Sequence, residues 1–155
     1  MVDFAALAKK PSGQGKKMEA LPVDTYPGII RSFEWGDANK NKTPYLRVHG
    51  LITGPGNVLG TAEELARLEI DPTKRQFRKD FYLRGADAND KEAEGQAMYR
   101  LDQFLRSCGI EADGRAYEEL LPQLIAKPVM VEIQQYLNQT TSDIGNQTGQ
   151  LVGQG

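Results

Sequence analysis

The segment Pro44-Tyr-Leu-Arg-Val-His-Gly50 alternates between apolar and polar positions, and this period of two constrains the chain more than any other stretch. Successive side chains of a strand point to opposite sides of its sheet. Leu46 and Val48 therefore share one face, while Tyr45, Arg47 and His49 share the other. The first face needs a core to bury it; the second is cationic and aromatic. The pattern returns over 74–84, with Phe77, Phe81 and Leu83 on one side and Arg78, Asp80, Tyr82 and Arg84 on the other.

Three further runs carry strand texture. β-Branched and aromatic residues fill 26–35, Tyr-Pro-Gly-Ile-Ile-Arg-Ser-Phe-Glu-Trp, and the polar run 36–42 stops them, so that 26–35 and 43–53 form a hairpin with a basic tip. Residues 127–136 and 141–152 form a closing pair of strands around a polar turn. Phe33, Phe77 and Phe81 are assigned to the core. A short helix opens at Thr61, expected as its cap, with Glu63 and Glu64 in the first turn. A longer one over 92–108 puts Met98, Leu101, Leu105 and Cys108 on one stripe, with Arg106 late and Gly109 as the stop. Residues 115–125 read as a helical patch broken by Pro122. The predicted fold is mainly β with one or two helices, in the order strand, strand, short insertion, strand, helix, strand, strand. That is the order of a five-stranded OB-fold, a Greek-key barrel with a helix between strands 3 and 4.

At 155 residues the chain has the length of one domain with a single core. Residues 1–20 hold Lys9, Lys10, Lys16 and Lys17 among glycine and serine, a composition expected of a flexible basic arm ahead of one barrel domain over 21–155. The lone Cys108 has no internal disulfide partner and reads as a buried small hydrophobe. No stretch approaches the roughly 20 apolar residues of a membrane helix, and no signal-peptide pattern opens the chain, so a cytoplasmic protein without membrane association is expected. The net charge of -2 hides an asymmetry: residues 1–84 carry 14 Lys/Arg against 10 Asp/Glu, and residues 85–155 carry 5 against 11. One face can be positive while the whole stays acidic.

Catalytic patterns are sparse. His49 is the single histidine, which leaves no zinc cluster and no second histidine as a base for Cys108. The Gly54–Gly60 stretch lacks the Gly-Lys-Ser/Thr ending of a phosphate loop, and 87–92 lacks the central glycine of a calcium loop. Glu63/Glu64, Asp87/Asp90 and Glu118/Glu119 could in principle hold a divalent metal, but acids are wanted at helix starts for other reasons. The expectation is a non-enzyme with no cofactor and no metal.

Binding a single nucleic-acid strand without sequence preference needs cations for the phosphates and flat side chains for the bases. The outward strand faces offer both. Trp35, Tyr45 and Tyr82 are the expected stackers; Arg31, Lys40, Lys42, Arg47, Arg78 and Arg84 are the expected phosphate contacts. A protein-interaction or virion-assembly barrel is the alternative use of the same scaffold, with oligomers or a protein partner in place of DNA.

Several strings add a resemblance. Leu21-Pro-Val-Asp-Thr-Tyr-Pro-Gly-Ile-Ile, Lys42-Thr-Pro-Tyr-Leu-Arg-Val, Phe81-Tyr-Leu, Leu105-Arg-Ser-Cys-Gly-Ile and Ile125-Ala-Lys-Pro-Val-Met-Val together resemble the OB-fold single-stranded DNA-binding proteins of tailed bacteriophages. The resemblance spans 21 to about 152. It implies coating and protection of exposed single strands in phage replication and recombination, in an infected host's cytoplasm, with replication or recombination proteins and self-association as further partners. Many such proteins end in an acidic tail; here no acid follows Asp143.

Overall fold

In the computed structural model, which describes residues 2–13, 18–37, 43–84 and 90–154, the longest strand divides its backbone between two neighbours. Strand β1 (Asp24–Asp37) pairs antiparallel with β4 (Pro128–Leu137) over residues 24–29 and with β2 (Pro44–Ile52) from Gly28 onward. β3 (Gln76–Tyr82) adds to β2, and β5 (Ile144–Gly153) adds to β4. The result is one antiparallel sheet in the order β3-β2-β1-β4-β5. A strand that serves two neighbours in succession must coil, and the coil brings the sheet's outer strands round toward each other. Gly28 sits at the switch, where an added Cβ would lie 2.9–3.0 Å from Phe77, the Leu51 carbonyl and Val131.

The protein is mainly β, as expected, but the five-stranded sheet of the expected Greek-key barrel is not closed. No hydrogen-bonded ladder joins β3 to β5. β5 bulges opposite Glu132, between the pairs Val131–Leu151 and Ile133–Thr148, which locally disrupts the strand's regularity. Side chains tie the two edges instead. Lys79 Nζ donates to the Gly149 carbonyl at 2.6 Å. At one end of this seam Arg75 Nη2 donates to the Glu19 carbonyl at 2.6 Å, while Asn146 accepts from Leu21 N at 2.7 Å and donates to its carbonyl at 3.0 Å. The last residues of the expected arm are thus held against the sheet. Further forward, Phe4–Ala8 form a short helix, α1, whose residues are all exposed.

Three other helices follow: α2 (Ala62–Arg67), α3 (Lys91–Ser107) and α4 (Tyr117–Leu120), the last running into a 3-10 turn over Leu121–Leu124 where Pro122 was expected to break it. α3 spans the far end of the seam. Its Phe104 stacks on Phe81 of β3 with ring centroids 4.9 Å apart, and Gly153 N of β5 donates to Ser107 Oγ at 2.8 Å. Leu101, Leu105 and Cys108 are buried as their spacing predicts, against Leu46, Val48, Val129 and Val131 from the inner sheet face. Burial pushes the Cys108 thiol pKa up, consistent with a packing role. Among the described residues no helix is long and apolar enough to cross a membrane.

Asp24, at the start of β1, is buried and fully partnered. Its carboxylate accepts from Thr25 N (2.7 Å), Val58 N (3.1 Å), Leu59 N (2.9 Å) and Thr61 Oγ1 (3.1 Å), which fastens the loop after β2 to β1. Thr61 was expected to cap α2, but its side chain makes no capping bond there because it donates to Asp24. Burial raises the Asp24 pKa, and the four donors outweigh it, holding the group below its ordinary 3.8. A depressed folded pKa contributes stability that is present above the unfolded value and lost as pH falls through the folded one. Asp24→Asn should therefore lose most relative to wild type above about pH 4–5, with the gap narrowing at lower pH. At neutral pH, urea unfolding of Asp24→Ala should show a loss on the order of 3 kcal/mol, since truncation strands buried donors.

Candidate nucleic-acid interface

The outward face of β1, β2 and β3 carries four of the expected residues together. The register sets Tyr45 opposite Tyr82, Arg47 opposite Asp80 and His49 opposite Arg78, and directly opposed residues share a face. On the other side of β2, Gly36, Glu34 and Ser32 of β1 stand opposite Tyr45, Arg47 and His49. The Tyr45 and Tyr82 rings lie 5.7 Å apart, tilted by 59°. Tyr45 lies over Gly36, where a Cβ would meet the phenol at 2.5–3.0 Å. The Arg47 guanidinium sits 4.7 Å from the Tyr45 ring centroid. Tyr45 is thereby held in place and half-buried, while Tyr82 keeps 44% of its surface exposed.

Arg47 is engaged rather than waiting for a phosphate. Its Nε and Nη2 donate to the two oxygens of Asp80 at 2.7 and 3.0 Å, and Glu34 lies 4.0 Å away. Burial pushes the Asp80 carboxyl up, but its bonds to Arg47 outweigh this and hold it below the usual carboxylate range. His49 Nε2 lies 3.1 Å from Glu34 Oε1. The middle of the face therefore offers no free guanidinium. Asp80 was visible in the alternating pattern, but only the cross-strand register reveals that it faces Arg47.

Trp35 departs from expectation. The β1–β2 register shifts between Ile30 and Ser32, leaving Arg31 as an extra residue, and beyond it Phe33 stands opposite Val48 and Trp35 opposite Leu46. One added residue exchanges the faces of everything that follows. Trp35 thus belongs to the inner side, at its open end, where it is 50% exposed. It does not share a face with Tyr45 and Tyr82. Arg31 is exposed at the bulge, and Arg84 is exposed just past β3. Lys40 and Lys42 lie outside the described residues.

A groove of about 780 Å³ runs along the seam between β3 and the β4–β5 hairpin. Arg78, Lys79 and Tyr82 line one wall, and Tyr136, Asn146 and Gln147 line the other. Tyr136 is 45% exposed and lies over its cross-strand partner Gly145, as Tyr45 lies over Gly36. Sequence reasoning passed over Tyr136. Its signal was the run Gln134-Gln-Tyr136 at the end of a strand, which says nothing of β3 until the sheet curls. Of the carboxylate pairs, Asp87 lies outside the described residues, Asp90 caps α3, and Glu63/Glu64 and Glu118/Glu119 occupy the first turns of α2 and α4. Among the described residues, no group of three or more His, Cys, Asp or Glu side chains is placed to hold a metal ion.

No family model matches the chain, and no curated protein matches it in sequence. The Arg47–Asp80 pair gives the arrangement a checkable energy. A double-mutant cycle with Arg47→Ala and Asp80→Ala should return a coupling of about 1–2 kcal/mol in urea unfolding, given bidentate geometry and partial burial. A coupling near zero would contradict its role in holding Tyr45.

Proposed function

We propose that the chain is a sequence-tolerant binder of single-stranded DNA that coats and protects the strand without a catalytic step. The observation that carries this reading is the seam groove. Two half-exposed tyrosines, Tyr82 of β3 and Tyr136 of β4, reach it from opposite walls, and Arg78 and Lys79 supply cations beside them. The acid that lines it, Asp80, is already tied to Arg47. A single strand needs such a surface: π-faces that accept any base and positive charge that displaces counterions.

The strand order supports the finer reading of the architecture as an OB-fold opened between its third and fifth strands, with a helix between the third and fourth. The likeness of several segments to phage single-strand binders agrees with the same reading and carries its biological setting, replication and recombination in a bacterial host. On this view the binding surface combines Arg78 and Tyr82 with Tyr136, and Tyr45 and Arg47 support it from the neighbouring strand.

A fluorescence titration with oligo-dT at several salt concentrations tests the proposal. The Trp35→Phe variant removes tryptophan emission and should bind as wild type does, because Trp35 lies on the other side of the sheet. Its tyrosine emission should be quenched on binding, and affinity should fall as salt rises. Tyr82→Ala should weaken binding by about 1–3 kcal/mol while leaving the unfolding midpoint nearly unchanged. Salt-independent affinity or no quenching would count against DNA and in favour of a protein-binding barrel.

A further inference from the structure

A second groove, of about 520 Å³, opens on the other side of Tyr82, between the end of β3 and α3. Lys79, Asp80 and Tyr82 line both grooves, so the two meet at Tyr82. Phe81, Ala93 and Ala97 give the second groove an apolar floor, and Arg84 and Arg100 stand on its opposite sides. Ala93 and Ala97, like Gln96 and Arg100, are four residues apart and so lie on one side of α3. Arg84 and Arg100 are exposed, and neither has an ion pair among the described residues. Glu92 and Glu94, the acids of α3's first turn, do not line this groove.

We infer that the bound single strand continues past Tyr82 into this β3–α3 groove, where Arg84 and Arg100 contact its phosphates and Gln96 faces its bases. The inference rests on the single-strand reading above and extends the binding surface from the sheet onto a helix. Charge and shape both favour it. Asp80, the acid in the lining, is neutralised by Arg47, and the small side chains of Ala93 and Ala97 let a backbone approach the helix closely. Tyr82, exposed where the grooves join, is positioned for a base to stack as the strand passes from one to the other.

Arg100→Ala in the full chain, titrated with oligo-dT of about 6 and about 16 nucleotides, tests the extension, since site sizes near this fold run to roughly that range. The shorter oligonucleotide is accommodated by the seam groove alone, so its affinity should match wild type. The longer one should bind about 5- to 10-fold more weakly, and its log–log salt slope should drop in magnitude by about 0.7, the share of one phosphate contact. Equal affinity of variant and wild type for both lengths would overturn the inference while leaving the seam groove intact as a site. An equal loss at both lengths would also overturn it, by placing Arg100 in the primary contact. Failure of the wild-type protein to bind either length would overturn the single-strand reading itself.

Discussion

The division of β1 between two partners is the constraint from which the rest follows. Residues 24–29 are committed to β4 and the residues beyond to β2, with overlap only at Gly28 and Ile29. A flat sheet cannot satisfy both commitments with native twist. The coil that results brings β3 and β5 near enough for Lys79 to reach Gly149, and it creates the seam whose outer side is the groove. Asp24 secures the first residue of this strand by gathering four donors from β1 and the loop after β2. The core and α3 then cover the inner side, with Phe104 on Phe81 and Ser107 against Gly153 at the seam's far end.

Electrostatics on the outer face divide the labour among residues that look alike in sequence. Arg47 and Arg78 sit on adjacent strands of one face, yet Arg47 is bound bidentately by Asp80 while Arg78 is exposed and without an ion pair among the described residues. A guanidinium already satisfied by a carboxylate gains little from a phosphate, because it must first surrender the bonds it has. Packing separates the tyrosines in a similar way. Tyr45 is pinned by Gly36 below it and Arg47 beside it, whereas Tyr82 and Tyr136 expose nearly half their surface toward a shared groove.

Much of the fold was legible because it is written in local periods. The alternation at 44–50 and 76–82, the stripe Leu101, Leu105 and Cys108 with Met98 only half-buried at its start, and the element order were recovered within a few residues of the observed bounds. What escaped depends on contacts between distant segments. A single extra residue at Arg31 moved Trp35 to the opposite face, and nothing local marks Arg31 as a bulge. Thr61 has the sequence of a helix cap, but a buried carboxylate 37 residues earlier takes its hydroxyl. Tyr136 enters the candidate surface only because the sheet curls, and how the edges β3 and β5 meet is likewise a matter of distant segments. The candidate site was therefore half legible: Arg78 and Tyr82 by pattern, their opposing wall only by topology.

Backbone amide shifts of the isotopically labelled chain, followed while oligo-dT is added, report which face the strand touches. If the account is right, the perturbed amides cluster at Arg78, Tyr82, Tyr136 and Gln147, along both walls of the seam, and the Trp35 indole signal stays where it was. Shifts centred on Phe33 and Trp35, or a spectrum indifferent to DNA, would contradict it.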